Sequence, residues 1–493
     1  MNKLTQTRRG FLQRIAALCI AGLTTTLHSS MTFAASVSQG LGKIKGLIIN
    51  KGDANYAMWR ASMSWYIFKP ERYPDSIIRA ANEEDVVAAI NYARDKGIKI
   101  ALRSTGHNPA RAVLRDEGIL LDLSQLREVE IDVESLTAWI QPGIKAEELL
   151  HLTTGQGLAF PAAHTGIVGL GGYLPGGGIG WNMPEYDIAC RSILAAEIIT
   201  ADGKKVIASA DENQELHWAI RGAGPGFFAA VVRYKIQLYP LHTAITMNSY
   251  VIPLDKMTQA LEVFKEIGDK CDKRLETFIK VGRFHPAEKP YAERDLVCTV
   301  GFFAFADSRQ DMEQLMLPVT QSKVAELSIR KKEFVPLSYE NLYRPPETDY
   351  SSPNRTIVEN IWTDDPGQSL ALLTEKMQAD PPPSPRSFLL VGWSFNPKLD
   401  DPSSCIRTAA RHYMSWYLIA EKEQDNAVNY RWMDESVELV QPLTRGHYIN
   451  EIDTLRYPQQ IQACFSEQSW VRLGQLRKKY DADGVFHNYL GLG

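Results

Sequence analysis

Two points in the first half of the chain concentrate residues able to do chemistry. Arg103-Ser104-Thr105-Gly106-His107 follows directly on the apolar run Ile98–Leu102. A turn of small polar residues at a strand end, with arginine beside it, can cradle a phosphate on its backbone N–H groups. A surface loop bearing a solvated histidine would read the same way. Further on, Gly166 to Trp181 packs seven glycines between positions 169 and 180. Glycine loses the most backbone entropy on folding, so this density needs a reason. Close approach of the main chain to a large flat or phosphorylated ligand supplies one. The spacing fails G-x-G-x-x-G, and Ala201-Asp202-Gly203 is a poor source for a ribose-binding acid, which argues against a Rossmann fold. A glycine-rich hinge or barrel corner without a ligand stays open. The six cysteines have no C-x-x-C spacing, so no metal site is expected.

Periodicity identifies the elements that must hold these loops. Ser76–Ala80 reads as a strand, followed by a helix with Asn82 as N-cap and Asp85 at N3. Val86, Val87, Ala89, Ile90 and Ala93 line one face of that helix, and Gly97 closes it in the left-handed conformation. Ile98–Leu102 is the next strand, then Gly118–Leu123 and Leu136–Ile140, with a helix over Ala146–Thr153. Ser192–Thr200 and Lys205–Ile207 form a hairpin about Ala201-Asp202-Gly203, and Phe227–Leu238 is a further strand. Residues 36–240 therefore read as one α+β unit. Residues 241–435 alternate strands (Ala244–Val251, Val297–Phe305, Arg386–Phe395) with helices (Met257–Ile267, Arg309–Leu317, Gln368–Gln378), which predicts a sheet covered by helices on one face. Residues 436–493 carry a helix at Trp470–Lys479 and end in Phe486-His487-Asn488-Tyr489-Leu490, too aromatic for a frayed tail and so expected to be docked.

The segments RSTGHNPARAVLRDEGILLDLSQL, TAWIQPG, GLAFPAAHTGIVGLGGYLPGGGIGW, YDIAC, AAEIITADGK, LHWAIRGAGPGF and YDADGVFHNY occur in that order. Together they resemble the berberine-bridge-enzyme-like branch of the vanillyl-alcohol-oxidase flavoprotein superfamily. The resemblance is weakest over 241–435. It implies a two-part FAD-binding domain of the vanillyl-alcohol-oxidase type, α+β, built from both chain ends around an inserted antiparallel-sheet substrate domain covered by helices. His107 then stands where the family bonds its imidazole to the flavin 8α-methyl carbon, and Arg103, Ser104, Thr105, Gly106 and Asn108 would wrap the pyrophosphate. Thr165 stands where many members carry a second, cysteine tether, so a singly attached FAD is expected. Val168 matches a position linked to oxygen access, and Tyr173 replaces a residue that often faces the isoalloxazine ring. Gly169, Gly172, Gly177, Gly178 and Gly180, then Ile199, Asn488 and Tyr489, complete the implied cofactor contacts. Arg191 departs from the usual Asp, which leaves two consequences open: inverted charge beside the cofactor, or a different ion pair.

Oxidising C–OH or C–N also needs a base. Tyr448-Ile449-Asn450-Glu451 resembles the family's C-terminal active-site strand. Alternation on a strand puts Tyr448 and Asn450 on one face and Glu451 on the other, which favours Tyr448 as base over Glu451. Glu451 could equally be a salt-bridged surface acid. Tyr430-Arg431-Trp432 and Trp393-Ser394-Phe395 are either aromatic substrate contacts or core. The expected reaction is oxidation of a carbohydrate, alcohol or aromatic, alkaloid-like small molecule, with O2 as acceptor and H2O2 as product. A dehydrogenase using a quinone or protein acceptor, and a non-catalytic flavin binder, are the alternatives.

The 493 residues suit two to four domains with ample core. Net charge is -4 and no polybasic block occurs, which argues against nucleic acid or an anionic membrane surface as partner. Residues 1–34 open with Lys3, Arg8, Arg9 and Arg14 and continue in a short apolar run, Ile15–Leu23. That run is too short to span a bilayer and reads as a removable signal peptide. Thr7-Arg8-Arg9-Gly10-Phe11-Leu12 resembles the bacterial twin-arginine signature, so the export machinery of that route is an expected partner and the periplasm or exterior the expected location. Replacing Arg8 and Arg9 with lysine traps the precursor in the cytoplasm. Mature protein beginning near Ala35 and still found outside by fractionation would remove the assignment.

Overall fold

The computed structural model describes residues 41–343, 355–420 and 426–492; the expected signal segment lies outside them. A four-stranded sheet forms first, in the order Leu47–Asn50, Ser76–Arg79, Ile119–Asp122, Ile100–Arg103. Its last three strands run parallel, which needs a crossover, and the helix Glu83–Lys96 provides one. The Asn82 side chain accepts the Asp85 N–H at 3.0 Å, and Gly97 ends the helix at φ 65°, both as the sequence predicts. Asp85 does not bond back to the cap. Its carboxylate takes the N–H groups of Lys45, Gly46 and Ala81, each at 2.8 Å, and so ties the preceding segment to the helix start.

The tail is docked on this sheet. Ile100 N–H donates to Val485 O at 2.7 Å, and His487 N–H to Ile100 O at 3.0 Å. A second, antiparallel sheet has the order Val129–Asp132, Thr137–Ile140, Ala230–Gln237, Ile193–Ile199, Lys205–Ser209, and contains the expected hairpin.

The third sheet has seven strands, all antiparallel, in the order Arg330–Leu337, Ala244–Pro253, Asp295–Ala306, Leu275–His285, Phe388–Trp393, His412–Ala420, Arg355–Thr363. Ile279, Val281, Val300, Phe302, Trp416 and Leu418 pack on one face beneath the helices Met257–Gly268, Pro366–Ala379 and Asn426–Val440. The alternating partners Phe278, Lys280, Val358, Tyr417 and Ile419 face the other way, into a cavity. The α+β arrangement and the helix-covered antiparallel sheet are thus as expected. Sequence periodicity missed the strands Leu275–His285, Arg330–Leu337, Arg355–Thr363 and His412–Ala420, and the helix Asn426–Val440, which runs across the expected boundary at 435. Among the described residues no helix is long and apolar enough to cross a membrane.

Glu276 sits on the third sheet's central strand, fully buried. One carboxylate oxygen accepts the Asn182 N–H at 2.7 Å, and the other has no partner. Burial pushes its carboxyl from 4.5 up to about 8. A carboxyl raised on folding stabilises the fold while protonated. Its contribution is complete below 4.5 and is lost as pH rises through about 8. Glu276→Gln, neutral throughout, therefore raises the melting temperature at about pH 9 and leaves it nearly unchanged at about pH 5, as thermal melts at both pH values would record.

Candidate functional site

A cavity of about 1020 Å³ lies between the two small sheets and the helix-free face of the third. The turn after the Ile100–Arg103 strand forms one wall. Arg103 does not offer its guanidinium to a ligand. It donates to Asp122 at 2.7 Å, to Met63 O at 2.9 Å and to Ser104 O at 2.9 Å, which pins the turn from behind. Gly106 sits at φ 77°, and a Cβ there would collide with the Met63 carbonyl, so only glycine fits. The turn then presents His107. Its imidazole stacks on Trp65 at 5.0 Å and 20°, and its buried Nε2 has no partner. Burial pushes His107 down to about 4, with the nearby charges of Arg103 and Lys145 adding to the effect, so the ring is neutral and its ring nitrogen lone pair available.

The glycine-rich segment forms the adjoining wall. Ser104 Oγ donates to Pro142 O at 2.7 Å, and Thr105 Oγ1 accepts the Gly169 N–H at 2.8 Å, joining the two loops. Thr165, Val168, Gly169, Gly172 and Tyr173 line the cavity. A Cβ on Gly172 would meet nothing within 4 Å, so the main chain there is open to a ligand. Other glycines are explained by the protein itself. A Cβ at Gly178 would stand 2.7 Å from the Tyr173 ring, and Gly177 and Gly180 are as tightly enclosed. These three belong behind the wall, as does Ile199, packed in the core with Ile78 and Val232. Tyr489 reaches the cavity, but Asn488 closes on the tail itself, bonding Leu492. Those five residues do not line the cavity itself.

The third wall brings Tyr448, Asn450 and Glu451 together, and corrects how they were expected to lie. Ile449–Glu451 is a 3₁₀ turn, so strand alternation does not apply, and Glu451 faces the cavity alongside Tyr448. Nor is Glu451 a salt-bridged surface acid. Its carboxylate accepts hydrogen bonds from the phenols of Tyr413 and, at 3.1 Å, Tyr417. Burial raises its carboxyl above the usual range while the two phenols pull it back. Tyr448 Oη accepts N–H bonds from Gly178 at 2.9 Å, Ile179 at 3.3 Å and the Asn450 amide at 3.2 Å. Burial, and then the charge of Glu451, hold the Tyr448 phenol well above its ordinary value.

Arg191 resolves to the second of its two alternatives. It pairs with Asp187 at 3.0 Å and donates to Thr408 at 3.1 Å, away from the cavity. Lys479, at the end of the last helix, binds surface Glu215 at 2.6 Å. Trp393, Phe395 and Trp432 are core. Sequence reasoning missed Trp65, His164, Trp181, Phe278 and Tyr417 as cavity residues. The alternation Tyr413-x-Ser415-x-Tyr417 was the available signal for the last of these.

Residues 74–209 match the family described as FAD binding domain. The chain is 26% identical to an FAD-linked oxidoreductase of Hypoxylon pulicicidum, over 84% of this chain and 90% of that protein. In structure it resembles 6-hydroxy-D-nicotine oxidase from Arthrobacter nicotinovorans, with TM-score 0.78, 19% identity and coverage of 91% of this chain and 98% of the other. It also resembles xylooligosaccharide oxidase from Myceliophthora thermophila, with TM-score 0.77 and 17% identity, over 92% and 98%. FAD fits the walls described: the orphaned His107 Nε2 and the open main chain at Gly172 are features that a bound dinucleotide would satisfy.

Proposed function

We propose, taking as premise that the chain is an FAD-linked oxidoreductase of the vanillyl-alcohol-oxidase fold, that it oxidises a C–OH or C–N bond of an aromatic, alkaloid-like small molecule. The observation that carries this is His107, a neutral stacked imidazole with an unpartnered nitrogen, in a cavity that also presents Tyr448 and Glu451. Trp181, Phe278, Phe303, Leu390 and Ile419 make the sheet side of the cavity largely apolar, with Lys280 beside Leu390 as a charged exception. That side suits a flat aromatic better than a carbohydrate, whose many hydroxyls would lose their hydrogen bonds there. The similarity to a nicotine oxidase points the same way, and that to a xylooligosaccharide oxidase points to sugars.

Bound FAD would supply the hydride acceptor, N5 of its ring. The chain's own residues handle the proton. Tyr448 Oη already accepts three N–H groups, so its hydroxyl hydrogen is left to donate to the substrate oxygen or nitrogen and orient it. Glu451, the acid in the described cavity wall, takes the substrate proton. Val168, of the size linked by family resemblance to oxygen access, supports O2 as final acceptor and H2O2 as product. Export by the twin-arginine route, already folded and loaded, completes the reading.

Attachment through His107 alone is tested directly. Acid-precipitated protein stays yellow, and digestion places the flavin on the peptide containing His107. A colourless precipitate with free FAD in the supernatant would remove the tether.

The proton assignment has its own check, anaerobic stopped-flow reduction with the first compound of an aromatic-amine, sugar and polyol panel that bleaches the flavin. Glu451→Gln slows reduction by about 10² to 10⁴, as for loss of a general base. Tyr448→Phe slows it about ten-fold, the worth of one orienting hydrogen bond. The reverse order of effects would return the role of base to Tyr448.

A further inference from the structure

Tyr413 and Tyr417 stand on the strand His412–Ala420, which the resemblance covers least, and neither belongs to the motifs that mark the cofactor site. Four residues apart on one strand, they share a face, and Ser415 between them is small. The Glu451 carboxylate bridges both hydroxyls. Each ring is fixed by its own contacts. Tyr417 stacks on Phe388 at 5.0 Å and 15°, and Tyr413 lies against Trp362 at 5.2 Å and edge-on to Tyr448 at 5.9 Å and 89°. These donors are held in place before any ligand arrives.

We propose that Tyr413 and Tyr417 are positioning residues that keep the Glu451 carboxylate charged and aimed into the cavity, and so set the pH at which substrate oxidation switches on. This rests on Glu451 being the proton acceptor. The physical need is plain. Burial favours the protonated acid, and a protonated acid accepts nothing. A lysine or arginine beside Glu451 would hold it ionised but cancel its charge. Neutral phenols stabilise the carboxylate by hydrogen bonding and leave the full negative charge facing the substrate. The titratable groups around Glu451 are Tyr413 and Tyr417 from the sheet, Tyr448 from its own segment, and Tyr66, whose phenol Glu451 helps to raise; Lys280 faces the same cavity, its Nζ 5.0 Å from the centre of the Phe388 ring on which Tyr417 stacks. Tyr66 is itself covered by the Arg111 guanidinium at 5.0 Å.

The test uses the flavin-loaded full chain and the panel compound that bleaches it. Infrared difference titration follows the Glu451 carboxyl, with Glu451→Gln as the blank. Tyr413→Phe and Tyr417→Phe each move its midpoint up by about one pH unit or more, and the double variant moves it further. The pH at which anaerobic flavin reduction reaches half its plateau rises in step, while flavin absorbance and melting temperature stay near native. If Tyr413→Phe fails to fold, Tyr417→Phe, whose ring faces the cavity, carries the test alone. A midpoint and rate profile unmoved by the substitutions overturn the proposal and reduce both phenols to packing, with Glu451 still the acceptor. Native-like reduction by Glu451→Gln overturns the acceptor reading, and with it the kinetic role of the phenols, even if the infrared midpoints shift.

Discussion

Arg103 and Asp122 stand opposite each other at the ends of two parallel strands, and their 2.7 Å ion pair is what the cofactor end of the molecule depends on. Asp122 is fully buried, and a buried pair is tolerable only when the remaining hydrogen-bonding capacity of both partners is used. Here it is. Asp122 also binds Arg79 at 3.1 Å and both the N–H and the hydroxyl of Ser124, while Arg103 reaches the Met63, Ser104 and Thr105 carbonyls. Removing Asp122 would leave the Arg103 guanidinium without its counter-charge at a cost of about 3–5 kcal/mol, whereas Asp122 would keep Arg79 if Arg103 were lost. The pair therefore fixes the turn ahead of any ligand. An arginine that looks like a phosphate hand in the sequence is spent on shaping the backbone that would hold the phosphate.

The seven-stranded sheet divides the remaining work between its faces. One is apolar and covered by helices, so its strands are held rigidly. The other carries aromatic, aliphatic and hydrogen-bonding side chains at fixed two-residue intervals, and the cavity takes its pattern from them. Neighbouring strands bring Tyr417 beside Phe388 and Val358, so the acid-binding phenol is positioned by backbone register rather than by a loop. The glycine-rich segment is shaped in a comparable way. Its glycines at 177, 178 and 180 let Tyr173 and Tyr448 pack tightly against the main chain, and Gly172 opens toward the ligand space.

The elements legible in the sequence were those whose signals are local. Asn82 and Gly97 cap their helix as their side-chain chemistry requires, and the hairpin at Ala201-Asp202-Gly203 forms where its turn residues place it. Leu275–His285 was not legible, because Glu276, Lys280 and Arg283 interrupt its apolar run, and their burial or cavity exposure is decided by a domain folded elsewhere. The segment from Tyr448 to Glu451 misled for a related reason. Alternation was applied to a stretch too short to establish a strand, and the turn that replaced it brought Glu451 to the same cavity as Tyr448. Tyr413 and Tyr417 carried a readable two-residue rhythm, but their partner lies far along the chain, and pairing across that separation leaves no trace in composition.

The docking of Val485 to His487 beside Ile100 has a consequence for the order of assembly. The strand that ends in the cofactor turn gains this edge partner only when the late segment has emerged, so the contact closes a loop spanning most of the described chain. Closing it late costs little in final stability, because loop entropy grows only logarithmically with length, but it slows the last step of folding. A nascent chain thus holds an unfinished sheet edge next to its cofactor turn until synthesis has passed Val485.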